Sequence, residues 1–588
     1  MSNTKNLNDS LEEINSVFKL PICYNKNVKK LNESIINDLE LIKATEKNDT
    51  SIYDNFFKPS NKLSKKVVEQ FSNFYTTDTN FLKDSQKLIK SLKTPELNTI
   101  YNKYDTNDSN LNDIVSLWHE IKSETGFCEK YLYIDWSFAK HLNNNPAFLQ
   151  MMSVYNIASP ILSLCLPIFM VIIPFIIIKL KGIELNIKEY VEIFKTIISN
   201  HAIFKVFTNF HEVDFGQKMY LLLSSAFYVF SIYQNILVCV RFYSNMQKIH
   251  NYLFKFKKYL AFSIDLMNYH SKKTSLLSNY ADFDKDVNYN IQILNDLYNK
   301  INKITPFQLS FSKITEIGNI MHTFYELYDN EIFNNTLLYS FGFNGYFSIL
   351  TNCNNNLIHN KICKTQFIKK GKPIFKEMYY PKFIEESEFK IIKNNCNLNK
   401  NMIISGPNAS GKTTTLKSVL INIILSQQIG FGCFESLKMI PYDNIHCYLN
   451  IPDTSGRDSL FQAEARRCKE ILDSIKNNCK EETHFCIFDE LYSGTNPEEA
   501  VISACAFLDY IGKNKNVTCL LTTHYTKLCK KLSEHQNFKN YNMKTIKKND
   551  NFQYTYIIDE GISKIKGGFQ VLQDMNYPKE ILENTKIL

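Results

Sequence analysis

The chain is 588 residues long, 44% hydrophobic and 22% charged, and its 68 Lys and Arg against 59 Asp and Glu give a formal net charge of +9. That length excludes a single core and points to three or four units of about 150 residues each. The positive charge is spread over many lysines, so it permits a phosphate-backbone partner without demanding one. Fifteen cysteines without a C-x-x-C pair, and a polar first stretch (MSNTKNLNDS), argue against structural zinc and a secretory signal and for reduced thiols facing cytosol.

Residues 1–150 mix helical periodicity, as in Val67, Phe71 and Phe74, with polar loop-like stretches, which predicts a helical N-terminal region of core or lever type. From Val154 to Ile178 the chain carries no charge, and these 25 residues would reach about 37 Å as a helix, beyond a hydrocarbon core of about 30 Å. A second uncharged run, Met219 to Val240, is followed at once by Arg241 as an interfacial anchor. Together they predict a transmembrane hairpin within 151–243; two buried helices of a soluble domain are the alternative. Pro160, Pro167 and Pro174 recur every seven residues, close to one helix face, and membrane helices tolerate them where neighbours re-satisfy the freed carbonyls. In the loop 179–218, Tyr190, Ile193, Phe194, Ile197 and Ile198 form an apolar stripe on a helix that also carries Lys188, Glu189 and Glu192, as an interfacial or a packed amphipathic helix would. Lysines flank both sides of the hairpin, so charge leaves its orientation open. Residues 244–340 read as extended helices of a lever or core region, in which Phe324 and Leu327 share a core-facing side.

Residues 341–588 hold the chemistry. Asn401 to Thr413 (NMIISGPNASGKT) is an apolar strand running into G-x-x-x-x-G-K-T, a Walker A loop of Gly406, Pro407, Asn408, Ala409, Ser410, Gly411, Lys412, Thr413 and, at its end, Thr414. Glycines let backbone amides curl around phosphates, the following helix offers its positive end, Lys412 neutralises β- and γ-phosphate charge, and Thr413 is placed to ligate Mg2+. A second strand, Phe485 to Glu490 (FCIFDE), delivers Asp489 for the magnesium shell and Glu490 to polarise the attacking water. A third, Cys519 to His524 (CLLTTH), ends in a histidine placed to sense the γ-phosphate. ATP and Mg2+ are the expected ligands, and Ile391 and Ile392 stand where an adenine pocket could form.

Gly406-Pro407-Asn408 before Gly411-Lys412 resembles the GPN-x-x-GK form of the MutS family of DNA mismatch-repair ATPases. QQIGFGCF resembles the helix end after its Walker A loop, and SGRDSLFQAE resembles its signature, giving Ser459, Phe461 and Glu464 with one extra residue, Asp458. Asp489-Glu490 followed by Ser493-Gly494-Thr495-Asn496, then Thr523-His524-Tyr525, and a closing segment with a Gly-rich turn and a helix near a Pro are similar to further family elements. The resemblance runs from about 370 to 588. It implies an ABC-type ATPase working as a homodimer, or as a heterodimer with a related ATPase. Two cassettes would sandwich ATP, with Ser459 acting in trans on the phosphate held by the other subunit. It also implies double-stranded or branched DNA as a partner. The N-terminus, however, shows no Phe-x-Glu wedge, and Phe324-Tyr325-Glu326-Leu327 sits in a helix-like stretch without room for one. The hairpin, moreover, interrupts the region where the family's core and lever would sit, as in membrane-attached MutS-like proteins.

The expected fold is α plus α/β, a helical N-terminal and lever region with a transmembrane helical hairpin followed by a P-loop ABC-type ATPase domain. Because ATP is cytosolic, N-terminus and ATPase domain are expected in the cytosol and the 179–218 loop across the membrane. The expected function is ATP-driven clamping on DNA by a membrane-tethered dimer; the alternative is a membrane ATPase, or a nucleotide-gated tether, acting on a protein or lipid partner without DNA.

Overall fold

The computed structural model describes residues 7–565 except 48, 106–107, 183–186, 201–214, 309, 385–390, 450, 452–458, 478–480 and 549–550, and beyond these residues 575, 577, 578, 580 and 581. The S-G-R half of the signature, Asp458, most of the closing segment and part of the 179–218 loop lie outside the described residues. Each described cysteine is a free thiol. Two compact units cut across the chain-order segments, one of residues 113–262 and 292–337, the other of residues 7–112, 263–291 and 338–588.

The first unit is helical. Its core near Phe127 is aromatic: that ring stacks on Tyr328 at 3.8 Å and meets Phe324 at 5.5 Å. Phe324 and Leu327 are both buried in the helix Ile317–Asp329, as their spacing predicts. Gly318 opens that helix to a neighbouring backbone, since a Cβ there would stand 2.3 Å from the Pro146 carbonyl.

Two helices of this unit are long and apolar enough, by length and composition, to cross a membrane. One runs unbroken through Pro146–Leu180; the other is the N-terminal part of Phe215–Thr274. Their outward faces are bare, with Ile161 65% and Phe227 70% exposed, while a polar seam joins them. Proline has no N–H to give the carbonyl four residues earlier. For Pro160 that carbonyl is Asn156, which accepts from Ser159 Oγ at 3.1 Å. For Pro167 it is Ser163, which accepts from the Tyr228 hydroxyl of the other helix at 2.8 Å. Asn235 Nδ2 adds a bond to Ser163 Oγ at 2.5 Å. The helix stays continuous past all three prolines, and for two of them the freed carbonyl has a side-chain donor. Tyr228→Phe is expected to orphan the Ser163 carbonyl and destabilise the pair by about 1–2 kcal/mol, read as a lower unfolding midpoint in detergent. In the helix Ile187–Asn200, Tyr190 meets Phe175 at 4.1 Å while Ile193 is exposed; the side chains of Ile197 and Ile198 are not described.

Among the described residues, the second unit holds all the strands. In the N-terminal region expected to be helical, β1 (Val28–Lys30) pairs antiparallel with β2 (Phe74–Thr76). Val67 and Phe71 are buried on the helix Lys62–Phe71, but Phe74 opens β2, because the helix ends three residues earlier. The remaining strands are β3 (Cys363–Phe367), β4 (Ile374–Met378), β5 (Asn394–Asn397), β6 (Asn401–Ser405), β7 (Phe431–Gly432), β8 (Ser436–Met439), β9 (Asn444–Tyr448), β10 (His484–Asp489), β11 (Val517–Thr523), β12 (Phe538–Lys548) and β13 (Asn551–Glu560). One sheet has the order β13-β12-β6-β11-β10-β9 and is parallel except for the edge strand β13; the other has the order β5-β4-β8-β3-β7.

Every residue of β6 and β11 is buried, as expected of parallel strands covered on both faces. The helix Lys412–Ile429 is also buried almost throughout, polar residues included, so its amides need partners. Asn422 donates to the Tyr379 carbonyl and Gln427 to the Tyr442 carbonyl, and further partners come from the chain's first hundred residues. Gln428 accepts from the Tyr53 hydroxyl at 2.7 Å and donates to the Phe74 carbonyl at 2.9 Å, Gln427 donates to the Thr76 carbonyl at 3.2 Å, and Gln86 donates to the Gly430 carbonyl at 2.7 Å.

Candidate functional site

Strands β6, β11 and β10 lie side by side, with Thr523 in register with Ser405 and Asp489 with Thr522. Their C-terminal ends therefore converge, the place where open parallel sheets present ligand sites. From β6 the chain turns through Gly406–Gly411 into the helix Lys412–Ile429. Gly411 holds a φ of +92°, and with glycine at the cap position no side chain occupies the first-turn N–H groups. The positive end of the helix thus faces the loop. Ala409 takes a left-handed φ of +61°, and Ser410 Oγ closes the turn by donating to the Pro407 carbonyl at 2.7 Å.

Lys412 folds back over this loop, donating to the carbonyls of Gly406 at 3.0 Å and Pro407 at 3.1 Å and standing 3.7 Å from Glu490. Burial pushes its ammonium below the ordinary lysine range, and the carboxylates of Glu490 and Asp489 work against that shift. Thr413 Oγ1 donates to Asp489 Oδ2 at 2.8 Å, and Thr522 Oγ1 bonds the other Asp489 oxygen. The Thr413 and Asp489 oxygens are of the hard type that suits Mg2+, which keeps waters and phosphate oxygens for its other positions.

Glu490 follows with a φ of +47°, and Tyr492 with +60°. Each such left-handed non-glycine residue costs on the order of 1–3 kcal/mol, so the surroundings must hold this turn. His524 Nδ1 lies 3.5 Å from Glu490 Oε1. The His524 bond is the main cause holding the Glu490 carboxyl below its usual range; burial opposes it and Lys412 reinforces it.

Lys412, Thr413, Asp489 and Glu490 border a cavity of about 980 Å3, at the upper end of the range for small-molecule sites, while His524 stands behind Glu490 and is not among the lining residues. Asn408, Ala409, Gly411, Lys412, Thr413, Thr414, Asp489 and Glu490 line it, with Ile391 and Ile392 at the same cavity. Gly406, Pro407 and Ser410 shape the loop behind. Ser459 is exposed at the start of the helix Leu460–Asn477 and is not among the lining residues; its Oγ caps Gln462 N at 3.3 Å while Gln462 Oε1 accepts from Ser459 N at 2.9 Å. Sequence reasoning missed Tyr379, Tyr380, Phe383, Asn394 and Tyr556, which line the same cavity. The aromatic run Tyr379–Phe383 was the one local signal. Tyr556 reaches the loop from the edge strand β13: a Cβ on Gly411 would stand 3.0 Å from its ring.

Residues 402–588 match the family described as MutS domain V. Over 213 residues the chain is 30% identical to the DNA mismatch repair protein MutS of Orientia tsutsugamushi (strain Ikeda), a match covering 35% of this chain and 23% of that protein. It is 27% identical over 239 residues to the DNA mismatch repair protein MutS of Clostridium perfringens, covering 39% and 26%, and 27% identical over 212 residues to that of Persephonella marina, covering 35% and 24%. The chain thus spans about a quarter of the length of these relatives. Over residues 402–588 the chain is therefore similar to the C-terminal domain of the MutS family.

Proposed function

We propose that this chain binds and hydrolyses ATP at the cavity bordered by Lys412, Thr413, Asp489 and Glu490, as one half of a dimeric, membrane-tethered machine. The observation that carries the reading is the convergence, at one end of a buried parallel sheet, of an anion-binding loop, a lysine, an oxygen pair suited to Mg2+ and a carboxylate held ionised. Mg2+ at Thr413 and Asp489 would neutralise phosphate charge. Lys412 would exchange its loop carbonyls for phosphate oxygens, Glu490 would orient water, and His524 would hold Glu490 in place. Ser459, exposed at a helix start, would meet the phosphate held by a second copy or a related ATPase.

The relatives' name, DNA mismatch repair protein, supports DNA as the partner that ATP-driven closure would clamp. The bare faces of the two apolar helices support anchorage by a two-span hairpin, with the ATPase domain in the cytosol. The limited extent of the match, 402–588, favours a second reading, an ATPase or nucleotide-gated tether that acts on a protein or lipid partner.

ATPase assays on the detergent-purified chain, with and without homoduplex, mismatched and branched DNA, separate the two. Under the first reading DNA binds with an affinity that falls steeply with salt, because phosphate contacts release counterions. Turnover without DNA affinity at low salt, stimulated by lipid, supports the second. Release of the intact protein by alkaline carbonate would remove the anchor from both.

A further inference from the structure

The carboxylate of Glu464 is buried at 2% exposure and does not line the cavity; it accepts three hydrogen bonds from one turn. Oε1 takes the Ser493 N–H at 3.1 Å and the Ser493 hydroxyl at 3.0 Å, and Oε2 takes the Gly494 N–H at 3.1 Å. That turn carries Glu490, and its preceding amide, Tyr492 N–H, is held by the Tyr448 hydroxyl at 3.3 Å. Glu464 belongs to the first turns of the helix that Ser459 opens, and the same helix start grips the turn twice more. Leu460 covers Gly494 so closely that a Cβ there would stand 2.7 Å from its Cγ, and the Phe461 ring meets Tyr492 at 5.6 Å.

We infer that Glu464 is a positioning residue that couples the start of the helix Leu460–Asn477, and with it Ser459, to the carboxylate of Glu490. A turn with left-handed Glu490 and Tyr492 does not hold its own shape, and successive amides at 492, 493 and 494 are fixed from outside it, two of them by Glu464. A displacement of the helix start, when Ser459 engages a phosphate, is therefore passed through hydrogen bonds and packed side chains to Glu490, four residues from the anchor point.

The inference rests on the ATPase reading, and the near-isosteric Glu464→Gln tests it. The amide sets an NH2 group against the Gly494 N–H, donor to donor. The expected result is a kcat about tenfold lower, the effect of one weakened hydrogen bond, at a nucleotide Kd and KM within about twofold of the unaltered chain. Hydrogen exchange of the 490–494 segment, measured without nucleotide, should rise by about the same factor. In a Ser459→Ala background Glu464→Gln should cost little more, since both changes break one linkage. Should Glu464→Gln not fold, Ser493→Ala removes only the hydroxyl donor and should lower kcat about threefold at unchanged Kd. An unaltered chain without turnover overturns both the ATPase reading and this inference. Turnover with unchanged kcat and exchange in the variant, or additive losses with Ser459→Ala, overturns the coupling alone.

Discussion

Lys412→Ala is expected to raise the dissociation constant for ATP by at least about 100-fold, with little change in unfolding temperature. The lysine is the one cation at the loop among the described residues lining the cavity. Its present partners, the Gly406 and Pro407 carbonyls, belong to the loop and can be left to water, so the fold loses little when the side chain is cut back. Bound phosphate oxygens, by contrast, would lose charge-assisted hydrogen bonds worth about 1.5–3 kcal/mol each. Titration calorimetry with ATP and Mg2+ checks this; binding of wild-type strength would remove Lys412 from the site.

Glu490→Gln is expected to leave nucleotide binding within a few-fold and to lower turnover by about 100-fold or more, since the amide cannot take up a proton from water. ATP would then persist in the closed dimer, seen as an ATP-dependent shift to the dimer in gel filtration. Normal turnover in this variant would refute the assignment. The pH dependence carries a sign. Because His524 and Lys412 hold the Glu490 carboxyl below its ordinary range, it stays ionised through the usual carboxylate range, and activity should fall only as pH drops beneath that range. His524→Ala, which removes the main cause of the shift, should move this acid limb upward.

The loop Gly406–Thr413 was legible because its chemistry sits in contiguous residues, and Asp489 and Glu490 because a buried apolar strand points its end at the site. Other features depend on pairings that no local pattern announces. Tyr556 arrives through the β12–β13 pairing, and Asn394 is fixed by bonds to Tyr556 O at 3.0 Å and from Ile558 N at 2.8 Å. The tolerance of Pro160 and Pro167 could be anticipated, but the Tyr228 hydroxyl that meets Ser163 stands 65 residues away in sequence. Phe74 shows the limit of periodicity, its spacing from Phe71 fitting a helix that has already stopped. Glu464 was visible as a matched letter of a signature, and its task became readable once Ser493 and Gly494 were seen to point their amides at it.

The buried glutamines of the Lys412–Ile429 helix bear on how this protein can be dissected. Gln428 spends its amide group on residues 53–74, Gln427 divides its own between Thr76 and Tyr442, and Gln86 returns a bond to Gly430. A fragment cut to begin near residue 341 would strip Gln428 of these partners and uncover to water a helix face that is buried almost throughout, at about 25 cal/mol for each Å2 of apolar surface exposed. The C-terminal domain of this chain is therefore not a portable cartridge: its first hundred residues are a structural part of it, and a minimal stable fragment has to be assembled from sequence-distant pieces.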